Sequence, residues 1–187
     1  MMYFDIPTSL EVGGREWPIR TDYRVILTIL SAYEDPDMGD EEKIYVCLND
    51  IYEDFQDMPP ELYKEAFEAA MAFIDHSTGK GHKGAKTMDW EQDANLLFPA
   101  VNKVAGFEVR SVEYLHWWTF LGFFMEIGEG VYSTVLSLRS KKNSGKKLEK
   151  WESEWWTKNI DICKLRKKYS EDEKADQEAL KSILGPR

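Results

Sequence analysis

The chain has 187 residues, 43% of them hydrophobic and 13% aromatic with seven Trp, which is enough apolar mass for one ordinary core and too much for global disorder. Its formal charge of −10 divides into −15 over residues 1–138 (10 Lys+Arg against 25 Asp+Glu) and +5 over residues 139–187 (14 against 9). An acidic body argues against the whole molecule as a nucleic-acid binder and leaves that option only to the basic stretch.

The first predicted element is a β-hairpin. Leu10-Glu-Val12 and Arg15-Glu-Trp17 flank Gly13-Gly14, a pair suited to a two-residue turn, and Pro18 limits pairing beyond the second strand. Helices follow. Asp22 is placed to cap one carrying Ile26, Ile29, Leu30 and Tyr33 on one face. A second opens near Asp40 with Ile44, Cys47, Leu48, Ile51 and Phe55 as its stripe, and Pro59-Pro60 starts a third with Tyr63, Ala66, Phe67, Ala70, Phe73 and Ile74 facing in. The glycine-rich, basic run from His76 to Lys86 predicts an exposed mobile loop.

Asp89 and Gln92 make a capping-box-like start to a fourth helix with Leu97, Phe98, Val101 and Val104, which Pro99 should kink or split and Gly106 should end. Ser111 is placed to cap a fifth helix, up to Gly128, whose residues Leu115, Trp117, Trp118, Phe120, Leu121, Phe123, Phe124 and Met125 cover nearly every face. Such a helix belongs at the centre of a core. A sixth runs from Val131 to about Arg139. Ser140 to Lys147 reads as a basic hinge, followed by a charged helix with Leu148, Trp151 and Trp155 and a second helical piece around Leu165. A last helix opens at a Ser170/Glu173 capping box and carries Leu180, Ile183 and Leu184. The predicted fold class is therefore mainly α: a helical bundle with a short N-terminal β-hairpin, residues 1–139, and a basic hinge with a charged C-terminal helical arm, residues 140–187.

The start, Met1-Met2-Tyr3-Phe4-Asp5, has neither the basic region nor the apolar stretch of a signal peptide. The most apolar run, Leu115 to Met125, is broken by His116, Thr119 and Gly122 and is shorter than the roughly 20 residues that span a bilayer, so no membrane association is expected. Cys47 and Cys163 lack a local partner pattern and read as buried or half-buried thiols in a reducing compartment.

Catalytic motifs fail on context. Gly79-Lys-Gly-His-Lys-Gly84 matches G-x-G-x-x-G, but a helix precedes it where the dinucleotide fingerprint needs a strand. Glu113-x-x-His116 has the spacing of a di-iron ligand pair, but the second copy and further glutamates that such a site requires are missing. His76 and His82 lack cysteine companions for zinc, and no G-x-S-x-G supports a serine nucleophile. No catalytic residue, metal or cofactor is expected. In the basic segment, Trp151, Trp155 and Trp156 stand among lysines, a pattern that can stack bases, but Glu149, Glu152 and Glu154 alternate with them. That mixture suits a salt-bridged helix laying an aromatic edge on a partner, with Trp151, Trp155, Trp156, Lys147 and Lys150 as candidate contacts.

Four landmarks carry a resemblance: the hairpin followed by Ile19-Arg-Thr-Asp-Tyr-Arg24, Met88-Asp-Trp-Glu-x-Asp93-Ala94, Tyr114-Leu-His-Trp-Trp118-x-Phe120, and Leu136-Ser-Leu-Arg139 before a lysine-rich helix. Together, over residues 5 to about 165, they resemble a family from siphophages and prophages of Gram-positive bacteria, encoded between the major tail protein and the tape-measure protein. That resemblance implies a tail-assembly chaperone, non-catalytic, acting in the host cytoplasm and absent from the mature virion. Its implied partners are the tape-measure protein and the major tail (tube) protein; separately, the contrast between the −15 body and the +5 arm predicts self-association. The competing readings are an enzyme with a pocket near His116 and a nucleic-acid-binding phage accessory protein acting through Lys141 to Lys168.

Overall fold

The computed structural model describes residues 5–76 and 85–175, and the fold is mainly α with an N-terminal β-hairpin. Strands β1 (Ser9–Val12) and β2 (Arg15–Pro18) pair antiparallel, with Val12 opposite Arg15. Gly13 and Gly14 form the turn at φ of 60° and 73°, the left-handed region such a turn demands. A side chain on Gly13 would also meet a Leu62 methyl at 2.9 Å, so Leu62 would have to shift. Val12 and Trp17 bury the inner face of the hairpin.

The chain then continues through α1 (Tyr23–Tyr33), α2 (Asp40–Ile51), α3 (Tyr63–Ile74), α4 (Ala94–Ala105), α5 (Trp117–Met125), α6 (Val131–Asn143), α7 (Lys150–Lys158) and the short α8 (Ile160–Cys163). Asp22 caps α1 by accepting from the Arg24 amide at 2.9 Å. Gly106, at φ 78°, stops α4. Hairpin, α1 to α5 and Tyr132 of α6 share one hydrophobic core, in which Tyr23 stacks on Phe120 with ring centres 4.5 Å apart.

Several expectations need correction. The helix proposed from Ser111 does not start there. Val109–Ser111 is a 3-10 turn, residues 112–116 leave helical geometry, and α5 begins only at Trp117. The reason is tertiary: the backbone of Leu115 and Trp117 is engaged by residues 21–23. Nor is α5 enclosed all round, since Trp117, Phe120 and Leu121 are buried but Met125 is exposed. Pro99 leaves α4 as one helix. That helix begins at Ala94, after a turn over 90–93 that Asp89 caps through the amides of Glu91 and Gln92 (3.0 and 2.7 Å). Phe55 is buried, but in a 3-10 turn beyond α2. The stretch read as a hinge is helical as far as Asn143. The helical piece expected around Leu165 is α8, a few residues earlier. The Ser170/Glu173 box forms as predicted, each side chain accepting from the other's amide (3.2 and 3.1 Å). Leu180, Ile183, Leu184 and residues 77–84 of the predicted loop lie outside the described residues.

Candidate protein-docking surface

The four landmarks meet in pairs and form two seams. At the first, the Thr21–Arg24 segment lies beside Tyr114–Trp117. The Trp117 amide donates to the Thr21 carbonyl (2.7 Å), the Tyr23 amide to the Leu115 carbonyl (3.0 Å) and the Leu115 amide to Asp22 Oδ2 (3.1 Å). Asp22 thus caps α1 and holds the segment that leads into α5. His116 is buried here as the N-cap of α5, its Nδ1 accepting from the Trp118 amide at 3.0 Å. With Nδ1 an acceptor, the ring proton sits on Nε2, which donates to the Pro7 carbonyl at 3.0 Å. The next two indoles donate to the end of α3, Trp117 to the Ile74 carbonyl (2.9 Å) and Trp118 to that of Phe73 (3.0 Å). Both ring nitrogens of His116 are therefore committed to the fold. Glu113 is exposed on a non-helical stretch, so the helical metal-ligand spacing is not realised.

The second seam joins Asp93, before α4, to Arg139 on α6, and sequence reasoning missed it. The two side chains are 1% and 3% exposed and pair twice, at 2.6 and 2.8 Å. The remaining three guanidinium donors go to the carbonyls of Thr87 (3.0 Å), Ile162 (2.7 Å) and Cys163 (2.7 Å), so all five are satisfied. Asp93 Oδ2 also accepts from the Asp89 amide at 3.0 Å. One residue thus ties α4, the 85–89 segment and α8 to α6. The available signal was register: Tyr132, Val135, Leu138 and Arg139 share the buried face of α6.

Above this seam lies a network of partly exposed charges. Lys86 reaches Glu34 and Asp89, both at 2.8 Å, and Lys168 reaches Glu91 at 3.2 Å and Glu34 at 3.9 Å. Burial pushes the Glu34 carboxyl up. At Asp89 burial acts the same way but is outweighed by the Gln92 amide and the Lys86 ammonium, and the carboxyl is held well below the usual range. Burial also raises both thiols, Cys47 to about 12, so neither is a ready nucleophile.

The five residues singled out as contacts stay at the surface. Trp151 is 59% exposed on α7, Lys147 and Lys150 are exposed, and Trp155 and Trp156 are half-buried, with the Lys142 ammonium 4.3 Å from the Trp156 ring centre. Glu152, read from sequence as one of the glutamates of a salt-bridged helix, is the buried residue of α7 and pairs with Lys141 of α6.

A more apolar docking feature is a groove of about 490 Å³ between α4 and the turn joining α5 to α6. Leu96, Pro99, Ala100 and Val104 line one wall and Ile127 and Val131 the other, with Lys103, Glu126 and Glu129 contributing polar groups to its lining. Val104 and Val131 are 36% and 54% exposed, so the groove is open to a partner. An apolar groove of this kind can receive the apolar face of an amphipathic helix.

Among the described residues, no cluster of three or more His, Cys, Asp or Glu is placed to hold a metal ion, and no helix is long and apolar enough to cross a membrane. His76 stacks on Trp118 at 3.4 Å, while His82 and Gly79–Gly84 lie outside the described residues. Fold and surface thus define a mainly helical protein with an open apolar groove. The chain matches the family described as Bacteriophage Gp15 protein over residues 4–181 and belongs to that family, which makes it a phage protein. Comparison with curated proteins and with solved structures gave no match.

Proposed function

We propose that this phage protein is a non-catalytic tail-assembly chaperone that binds the tape-measure protein and gives way to tail-tube subunits, working in the host cytoplasm and leaving before the virion is complete. Membership of a phage family supports the setting. The observation that carries the binding mode is the open apolar groove along α4. A long client helix with an apolar stripe can lay successive side chains between Val104 and Val131. The acidic body, −15 over residues 1–138, keeps a chain that exposes such a groove soluble. Trp151, Trp155, Trp156, Lys147 and Lys150 form the second contact, an aromatic edge among cations.

Co-expression with a tape-measure protein tests the reading directly. The wild-type chain keeps the client in the soluble fraction, V104E abolishes this by placing a charge in the groove, and W151A reduces it. A client that stays insoluble with folded wild-type protein overturns the chaperone role. Full solubilisation by V104E moves the binding surface away from α4.

A further inference from the structure

Beyond α8 the chain changes character. Residues 164–169 are neither helix nor strand, and they cross the start of α4 and the end of α1 before the Ser170-capped helical turn. Gln92 holds them by the main chain: its side-chain amide donates to the Lys164 carbonyl and its oxygen accepts from the Arg166 amide, both at 2.8 Å. This is the donor–acceptor pair a neighbouring β-strand would present. It reads backbone and ignores side-chain identity. Selectivity comes instead from charge, with Lys168 on Glu91 and Glu34, and with Asp35, Asp37 and Asp89 lining the same side. The Glu171 amide adds a bond to Asp37 Oδ1 at 2.8 Å.

These holds differ in kind from the one just before them. Cys163 is buried and its carbonyl is fixed by the enclosed Arg139. From Lys164 on, the chain is held chiefly by side-chain hydrogen bonds and ion pairs near the surface, with Glu91 75% exposed and Leu165 and Tyr169 only half-buried. Exposed pairs of this sort are weak and salt-sensitive. A groove of about 990 Å³ lies between the segment and the body, with Arg166, Lys167, Lys168 and Tyr169 on one side and Asp35, Asp37, Glu91 and Gln92 on the other, so the segment packs loosely on that face.

We propose that residues 164–175 are a releasable strap, and that the groove it occupies accepts the same segment from a second copy of this chain. The segment that fits the groove is present in every copy, and exchange in trans rebuilds the same contacts at no loss of bonding. In the resting protein the tethered strap competes at high effective concentration for the body residues that hold it. Lys168→Glu sets a carboxylate against Glu91 and Glu34, so it loosens the strap while Asp35, Asp37, Glu91 and Gln92 on the body stay unchanged. Gln92→Leu removes the backbone reader.

The test uses full-length protein and a fluorescent peptide of residues 164–175. Hydrogen exchange of the Arg166 and Glu171 amides, which donate to Gln92 and Asp37 of the body, accelerates about tenfold between roughly 50 and 500 mM salt, while that of Ile162 and Cys163 is unchanged. The peptide binds K168E about tenfold more tightly than wild type, and the Q92L/K168E double variant loses that gain. Circular dichroism of each variant confirms the fold. Equal exchange on both sides of Cys163 at all salt concentrations overturns the releasable strap. Failure of K168E to bind the peptide overturns exchange between copies. Neither readout involves a tape-measure client, so either can fail while the chaperone reading stands.

Discussion

The two seams solve one problem, joining segments far apart in sequence, with different chemistry. Thr21–Arg24 meets Tyr114–Trp117 chiefly through backbone bonds, the Asp22 carboxylate and the paired hydroxyls of Thr21 and Tyr114, with the His116 imidazole fixing the start of α5 beside them. Asp93 meets Arg139 through a buried ion pair whose remaining donors all reach carbonyls. The first spreads its stabilisation over many modest bonds, so each is separately dispensable. The second concentrates it in one cation, whose desolvation is tolerable only while every partner is present.

The largest expected effect breaks the second seam. Asp93→Ala leaves the Arg139 guanidinium buried without its carboxylate, and urea unfolding should show a loss of about 3–5 kcal/mol. Asp93→Ala combined with Arg139→Met should cost clearly less, because no charge is then stranded. At the first seam, His116→Ala removes the α5 cap and the bond to Pro7, with an expected loss of about 1–2 kcal/mol by the same measurement. Equal losses at the two seams would erase the distinction between them.

A finer test concerns acid. The folded Asp89 carboxyl is depressed, so its contribution is complete above the ordinary carboxylate range and is lost as pH falls through the folded value. Glu34 is raised, so its linkage runs oppositely: that contribution is present below its unfolded value and lost as pH rises through the folded one. Because the Asp89 shift is the larger, wild type should lose more stability than Asp89→Asn when urea midpoints at about pH 7 and about pH 3 are compared. Parallel losses would show that Asp89 is not a source of acid sensitivity.

The locally encoded parts of the fold were legible. Gly13-Gly14, the Asp22 cap, the Gly106 stop and the Ser170/Glu173 box each lie within a few residues of what they control. The start of α5 was not legible. Ser111 has good capping chemistry, yet pairing with residues 21–23 draws the chain out of helix and hands the cap to His116. Buried charge escaped for a similar reason, since Asp, Glu and Arg are read as solvated by default. Arg139 betrays itself only by sharing a face with Tyr132, Val135 and Leu138. The candidate contacts on α7 could be named from sequence as an aromatic edge among cations. The groove along α4 could not, because its second wall comes from a turn roughly thirty residues further on, and that wall exists only after assembly.

The first seam also sets an order of events. Asp22 Oδ2 and the Leu115 amide are 93 residues apart, as are the hydroxyls of Thr21 and Tyr114. Closing a loop of that length is entropically slow compared with forming any single helix. During synthesis the hairpin and α1 to α3 leave the ribosome well before residue 117 does. Their shared core then lacks Trp117 and Phe120, and the carbonyls of Phe73 and Ile74 lack their indole donors. The nascent chain therefore carries an unfinished apolar face while the roughly forty residues between α3 and α5 are made, until α4, α5 and Tyr132 arrive to cover it.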